Sequence, residues 1–182
     1  FSKIRGEGTP NWDRWTLEKL NNVLGDADYE YFNLPNSAQR KIIAENKQAL
    51  VLLPEIFLTN EFKTRFYDFF GFEPAIWHSK ITPKNKRIIW TGIINNNIKL
   101  VVGARSSLLL PFKKLGIIIV DEEHDTSYKQ DEGVIYHARD MAIARASFEK
   151  IPIHLVSAIP SIETFNNMQN KKFRHFKINK RY

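Results

Sequence analysis

The 182-residue sequence contains no cysteine, which excludes disulfide bonds and cysteine-based zinc sites and is typical of a reducing compartment. It also lacks any apolar run approaching the roughly 18 residues needed to span a bilayer. Its first residues have neither the apolar core nor the small-residue cleavage site of a signal peptide. We therefore expect a soluble, cytoplasmic protein that does not engage a membrane.

Positive charge is in excess, because 27 lysines and arginines stand against 20 aspartates and glutamates, a formal net charge of +7. This balance favours an anionic partner such as nucleic acid. Lysine, asparagine and isoleucine are all abundant, as an AT-rich coding sequence produces, so compositional bias is an equal alternative. The length and the apolar content suffice to bury the core of one domain.

From residue 49 onward, short apolar runs alternate with helical patterns. The runs read ALVLLP, PAIWH, IKLVVG, GIIIVD and IPIHLVSA, and helices are predicted over residues 59–70, 82–95, 136–150 and 162–168. Thr82 followed by Pro83 indicates a helix start, because threonine caps helices and proline is favoured at the first helical position. The runs are continuously apolar, as in strands covered by helices on both faces. The cadence predicts an α/β domain with a parallel sheet, preceded by an irregular or helical segment over residues 1–47.

The run GIIIVDEEHD, residues 116–125, ends an apolar strand in acidic side chains. Ligands of an open parallel sheet sit beyond the carboxyl ends of its strands, so Asp121 and Glu122 are expected in that crevice. Mg²⁺ keeps most of its waters and takes one or two protein carboxylates beside nucleotide phosphates. Asp121 would hold this ion through water, and Glu122 would orient or deprotonate the water that attacks the terminal phosphate. A solvated acidic loop and a metal-dependent phosphoesterase site are the alternatives.

A cation site built from the whole acidic cluster is disfavoured. Adjacent residues at a strand end point in different directions, so Glu122, Glu123, His124 and Asp125 do not converge, and no second histidine has ligand spacing. An EF-hand loop is excluded, because Thr126 occupies the position that needs glycine.

Two further segments favour contact with a nucleic-acid strand. In GARSSLLLPF, Gly103 permits a tight exit from a strand, and Arg105, Ser106 and Ser107 offer donors suited to phosphate oxygens. In HDTSYKQDEGVIYHARD, aromatic side chains that can stack on bases alternate with cations that follow the backbone. The residues concerned are Tyr128, Lys129, Tyr136, His137 and Arg139. The alternatives are an ordinary surface loop for the first segment and tyrosines packed against the sheet for the second.

VDEEHD is similar to motif II of the DExH helicases of superfamily two. LVLLPEIFLT, FGFEPAIWHS, the run from VVGARSS to AIARA, and HLVSAIPSIETF resemble successive motifs of the primosomal protein N′ family, the replication-restart helicases. The resemblance covers residues 47–173, and DEEHDTSYKQDEG followed by YHARD is nearly diagnostic. It implies that residues 48–176 form a RecA-like domain of the P-loop NTPase type carrying motifs Ia to III, followed by a basic tail at 177–182.

The resemblance also implies an activity and its partners. The family is an ATP-dependent DNA helicase, which uses ATP and Mg²⁺, loads at stalled forks and moves 3′ to 5′ on single-stranded DNA together with primosome and replication-restart proteins. By resemblance, the strand contacts are Pro54, Glu55, Thr59, Arg105 and Ser106. Asp121 and His124 lie beside the nucleotide, and Ser157 and Ser161 couple nucleotide state to strand grip. Ile159 replaces the threonine of the family's SATPS motif, which puts the coupling role of this segment in question.

The phosphate loop that such a motor needs, G-x-x-x-x-G-K-[ST], is absent, because no glycine in the sequence precedes a lysine. Asp26 and Asp28 stand where phosphates would be repelled, and Pro35 stands where a helix should continue. We therefore expect residues 1–47 to be divergent and the chain to be a gene fragment, a decayed copy, a split-gene product or a trimmed chain. It is expected not to turn over ATP alone. The alternative is a non-catalytic remnant that binds single-stranded nucleic acid or a protein partner.

Overall fold

Five parallel strands form the central sheet, and two further short strands form an antiparallel pair. The structure is a computed structural model and describes residues 45–54, 67 and 73–175. In chain order the elements are β1 Gln48–Leu52, β2 Ala75–Trp77, α1 Pro83–Ile94, β3 Leu100–Gly103, a 3₁₀ helix Arg105–Leu109, β4 Leu115–Asp121, a 3₁₀ helix Thr126–Tyr128, β5 Lys129–Gln130, β6 Tyr136–His137, α2 Ala138–Glu149, β7 Ile153–Val156 and α3 Ile162–Gln169. The predicted parallel α/β architecture is confirmed.

The strands of the central sheet lie in the order β2-β3-β1-β4-β7, and the burial of each strand follows from its place in this order. Every residue of β1 and β3 is buried, as is the second half of β4, whereas the outer strands β2 and β7 are mostly half-buried. The inner strands are enclosed on both faces, which explains why their sequences are continuously apolar. Leu50, Leu52, Val101, Ile118 and Val120 lie at the centre of the core.

The helix ends agree with the local signals. Thr82 Oγ1 accepts a hydrogen bond from the Asn85 amide at 3.3 Å, and Pro83 is the first helical residue of α1. The helix α2 begins two residues later than predicted, because Tyr136 and His137 pair with β5 in a short antiparallel hairpin before the helix starts.

The amino-terminal edge of the sheet is held by Gln48, a buried polar residue at the start of β1. Its Nε2 donates to the carbonyls of Ile93 at 3.0 Å and Ile98 at 2.8 Å, and its Oε1 accepts from the Lys114 amide at 3.0 Å. One side chain thus satisfies backbone groups of three segments. This edge is opposite the one to which the acidic residues belong.

Some predictions fall outside the described part of the chain. These are the predictions for residues 1–44, for the helix at 59–70 apart from Tyr67, and for the basic tail at 177–182. Within the described residues, no helix has the length and apolar character needed to cross a membrane.

Candidate functional site

Three consecutive carboxylates lie buried where β4 ends. Asp121 is the last residue of β4, which runs between β1 and β7, and Glu122 and Glu123 follow it. Glu122 adopts a left-handed backbone conformation with φ of +45°, and the turn is closed by the Asp125 amide, which donates to the Glu122 carbonyl at 2.8 Å. A non-glycine residue in this conformation costs about 1–2 kcal/mol. Because all three carboxylates are buried, the alternative of a solvated acidic loop is wrong for these residues.

The third carboxylate, Glu123, joins three segments of the chain. Its Oε1 accepts from the Ser161 amide at 2.6 Å, and its Oε2 accepts from the Ser161 hydroxyl at 2.9 Å, the Thr164 hydroxyl at 3.0 Å and Arg139 Nη1 at 3.2 Å. Glu123 is 1% exposed. Four donors, one of which is the positively charged Arg139, thus compensate the desolvation of the Glu123 carboxylate.

Arg139, the partner of Glu123, is also buried. Burial alone would lower its pKa, but the hydrogen bonds and charges of Asp140 and Glu123 outweigh this effect and raise the pKa above its ordinary value. Its guanidinium also donates to the Ser161 hydroxyl at 2.7 Å. The prediction that Arg139 contacts a DNA backbone is wrong in this arrangement, because its side chain is 7% exposed and both Nε and Nη1 donate to protein groups.

His124 connects the turn after β4 with the loop after β7. Its Nδ1 lies 2.7 Å from Ser157 Oγ and 3.6 Å from Glu122 Oε2, and the imidazole is 43% exposed. The Ser157 hydroxyl donates to the Ile159 carbonyl at 2.7 Å. Which of His124 and Ser157 donates in their contact depends on the tautomer of the imidazole.

Ile159 stands where the resembled family has threonine, and its side chain is 73% exposed. Its backbone amide donates to Ser157 Oγ at 3.2 Å, and its carbonyl accepts from the same hydroxyl. Both hydrogen bonds use backbone atoms of Ile159, so neither depends on the missing threonine hydroxyl. The predicted coupling residues Ser157 and Ser161 each contact motif II, at His124 and Glu123 respectively.

The segment after β3 lies beside the segment after β4. Arg105 Nη1 donates to the carbonyls of Ser127 at 3.1 Å and Lys129 at 2.5 Å. Ser106 and Lys129 are exposed, and the Lys129 ammonium lies 3.0 Å from Asp131 in an exposed ion pair, which contributes little to stability. A cavity of about 100 Å³ lies here and is lined by Leu53, Ala104, Arg105, Ser127 and Tyr128.

Gly103 lets β3 turn into the 3₁₀ helix at close range. A Cβ atom at this position would lie 2.6 Å from the Trp77 carbonyl oxygen and 2.6 Å from Ser107 Cβ. The tight exit predicted for Gly103 therefore has a steric reason.

Tyr128 is buried, with 1% of its surface exposed. Its hydroxyl lies within hydrogen-bond distance of the carbonyls of Leu52 at 3.0 Å and Asp121 at 2.5 Å, which share its single proton. Burial, together with the negative charges of Asp121, Asp125, Glu122 and Glu123, raises the pKa of Tyr128 well above its ordinary value. The prediction that this ring stacks on bases is wrong in this arrangement, and the alternative of packing against the sheet holds.

The remaining predicted strand contacts divide into three groups. Pro54 is buried, so its predicted contact with a strand is also wrong in this arrangement. Tyr136 is half-buried and packs against the core. Glu55 and Thr59 lie outside the described residues.

Sequence reasoning missed two residues that organise this region. The sequence presents Glu123 only as a member of a disfavoured cation cluster, and the described residues contain no group of three or more histidines or carboxylates that could hold a metal ion. The second residue is Arg145 of α2. It donates to the carbonyls of Leu108 and of Leu110, the latter at 3.1 Å, and stacks over the Phe112 ring at 5.4 Å. Its only local signal is an i,i+4 pairing with Glu149.

A parallel α/β sheet in which an internal strand ends at the buried carboxylates of a DExH sequence is typical of one class of protein, the DExH helicases. Comparison with known protein families agrees. Residues 31–168, more than half of the chain, match the DEAD/DEAH box helicase family. The chain belongs to this family.

Individual relatives within this family indicate the type of helicase more closely. The chain is similar to the replication restart protein PriA of Rickettsia conorii, with 52% identity over 140 residues, 77% of this chain and 22% of the relative. It is 41% identical to PriA of Bacillus subtilis over 169 residues, 93% of this chain and 20% of the relative. The chain thus spans about a fifth of the length of these relatives. The resemblance to the replication-restart helicases is confirmed.

One solved structure, RecG bound to a three-way DNA junction, matches with a TM-score of 0.44 and 18% identity, over 91% of this chain and 23% of that chain.

Proposed function

We propose that this chain is the first RecA-like domain of a replication-restart DNA helicase, which hydrolyses ATP, moves 3′ to 5′ on single-stranded DNA and acts with primosome proteins. The observation that carries the proposal is the burial of Asp121 and Glu122 at the carboxyl end of an internal strand, beside a His124–Ser157 contact with the loop after β7. Carboxylates in this position are suited to nucleotide hydrolysis.

The carboxylates fit Mg²⁺. This ion takes one or two protein carboxylates beside nucleotide phosphates, and Asp121 and Glu122 are consecutive buried carboxylates at a strand end. When bound, Mg²⁺ neutralises charge that develops on the phosphates. Asp121 would hold the ion through water, Glu122 would orient and deprotonate the attacking water, and His124 would sit beside the nucleotide.

The phosphate-gripping half of such a site is missing from the sequence, because no glycine precedes a lysine. Catalysis of phosphoryl transfer depends mainly on positioning and on electrostatic stabilisation. Glu122 would therefore be a base without a held substrate, and these 182 residues would not turn over ATP by themselves.

The strand-binding surface is proposed to consist of Arg105, Ser106, Lys129 and Tyr136. Ser106 and Lys129 are exposed, and within the described part of the chain Arg105 binds protein carbonyls through Nη1. Because cations that contact phosphates release counterions, the affinity for single-stranded DNA should fall steeply as salt rises.

Binding is tested by fluorescence anisotropy with a labelled single-stranded oligonucleotide at low salt. The double variant Arg105→Ala, Lys129→Ala should bind several-fold more weakly, with a shallower salt dependence. Lys84→Ala, an exposed charge on α1, is the control and should bind like the parent chain. An absence of binding at low salt would remove the proposal of a strand-binding surface.

Turnover is tested by ATP hydrolysis with and without the oligonucleotide, in the parent chain and in Glu122→Gln. We expect both to match a buffer blank. Hydrolysis that DNA stimulates and Glu122→Gln abolishes would show that residues 25–41 contain a phosphate site, and the proposed inactivity would be abandoned. DNA binding that ATP and Mg²⁺ leave unchanged would favour the non-catalytic remnant.

A further inference from the structure

We propose that Glu123 and Arg139 are positioning residues that set, through α2, the place of the segment Arg105–Leu109 relative to Asp121 and Glu122. The proposal rests on the proposed function for the roles of the two ends that it connects. It does not require either residue to touch nucleotide or DNA.

The geometry that supports it is a single helix attached at two points. Arg139, in the first turn of α2, binds Glu123 in the turn that follows Asp121 and Glu122. Arg145, further along the same helix, donates to the carbonyls of Leu108 and Leu110, at the end of the 3₁₀ helix that carries Arg105 and Ser106. Six residues of helix separate the two arginines by about 9 Å, so the helix is a short rigid connection between the carboxylates and the strand-binding segment.

The first attachment is the buried charge pair between Arg139 and Glu123. The side chains of Arg139 and Glu123 are 7% and 1% exposed. The Glu123 carboxylate faces only donors, those of Ser161, Thr164 and Arg139. A glutamine would put an NH₂ group among these donors and remove the charge that holds Arg139. The variant Glu123→Gln therefore disturbs the attachment while it conserves the size of the side chain.

The loop after β7 is also bound to Glu123. Ser161 caps α3 by accepting from the Thr164 amide at 3.2 Å, and its own amide binds Glu123. A change at Glu123 thus reaches the loop that contains Ser157 directly. It reaches the far end of the segment Arg105–Leu109, at Leu108 and Leu110, through Arg145 of α2, whereas Arg105 itself is also bound to the segment after β4. This difference separates a positioning role from local capping.

The test is amide hydrogen exchange of the full chain, resolved by residue, for the parent, Glu123→Gln, Arg139→Lys and Asp140→Asn. In the parent, the Ser107 amide donates to Ala104 at 2.9 Å and the Leu110 amide to Ser107 at 3.2 Å. We expect Glu123→Gln to speed exchange of these two amides about five-fold or more, the lower end of typical coupling between sites. Arg139→Lys should act in the same direction, because the ammonium of lysine lacks the planar guanidinium that places Nη1 between Glu123 and Ser161.

Two internal controls make the result decisive. The amides of Asn97 and Ile98 bind the Gly92 carbonyl at the opposite edge of the sheet, and their exchange should not change. Asp140→Asn removes the charge of the exposed partner of Arg139, keeps an oxygen that can accept from Nε and leaves Glu123 in place, so it should resemble the parent. A change confined to residues 161–165, an equal change at Asn97 and Ile98, or an equal effect of Asp140→Asn would overturn the proposal. Should Glu123→Gln not fold, Arg139→Lys carries the same comparison.

DNA binding adds a second readout. Where the parent chain binds the oligonucleotide, Glu123→Gln should weaken binding about five-fold or more, and the double variant with Arg139→Lys should be no weaker than the worse single variant. Fully additive losses would contradict a shared attachment. A parent chain that does not bind DNA would end the strand-binding proposal, and the exchange result would then decide the positioning proposal by itself.

Discussion

Replacing Tyr128 by phenylalanine removes one buried hydroxyl and leaves the ring in place. The hydroxyl bridges the carbonyls of Leu52 and Asp121, which lie at the carboxyl ends of the neighbouring strands β1 and β4. Phenylalanine has no donor to replace it, and the 1% exposure of the site keeps water away from the two carbonyls. We expect Tyr128→Phe to destabilise the fold and to leave the affinity for single-stranded DNA unchanged.

The magnitude follows from the loss of a donor to buried acceptors. Leaving a buried polar group without its partner costs about 1–3 kcal/mol. Because phenylalanine keeps the ring and its contacts, no cavity forms and no further cost is added. For a chain of this size, about 2 kcal/mol corresponds to a fall in Tm of about 4–8 °C.

The assay is thermal unfolding followed by circular dichroism, with anisotropy on the same samples. Tyr136→Phe is the matched control, because Tyr136 is only half-buried, and its free energy of unfolding should change by less than about 0.5 kcal/mol. An unchanged Tm for Tyr128→Phe, or a loss of DNA affinity without a loss of stability, would refute the assignment of this hydroxyl to the fold.

Three further outcomes are expected. Because the pKa of buried Tyr128 is raised, its proton stays bound above pH 10 while the unfolded chain loses it, so the free energy of unfolding falls there by about 1.4 kcal/mol per pH unit. Urea titrations should show the stability gap to Tyr128→Phe narrowing from pH 10 to 11, and a constant gap would contradict this. Gln48→Leu should cost more than about 2 kcal/mol in urea, because three backbone groups lose their partner; an unchanged midpoint would argue against it. Gly103→Ala should cost about 1–3 kcal/mol by overpacking against the Trp77 carbonyl. At Gly116 the nearest atoms belong to the Lys47 side chain and not to backbone, so Gly116→Ala should cost less; equal losses in thermal unfolding would count against the steric reason.

The order and type of the described elements could be predicted because their signals are local. A threonine and a proline start α1, and continuously apolar runs form the enclosed strands of the sheet. The carboxylates follow β4 in the chain, so their place at its end needed no knowledge of distant residues. The helicase class could likewise be inferred from motifs whose order and spacing are properties of the sequence.

Which side chains of the site face solvent was decided only by tertiary structure. Glu122 and Glu123 are neighbours of identical chemistry, yet Glu123 becomes an anchor because Ser161, 38 residues away, reaches it. Tyr128 and Arg139 read as strand contacts from composition, but Tyr128 binds Leu52, 76 residues away, and Arg139 binds Glu123. A side chain's burial depends on what the fold brings against it, whereas a strand or a helix end depends on adjacent residues. The sequence by itself therefore determined the elements and the class, and the packing of distant segments determined which of the charged and aromatic residues remain available to a ligand.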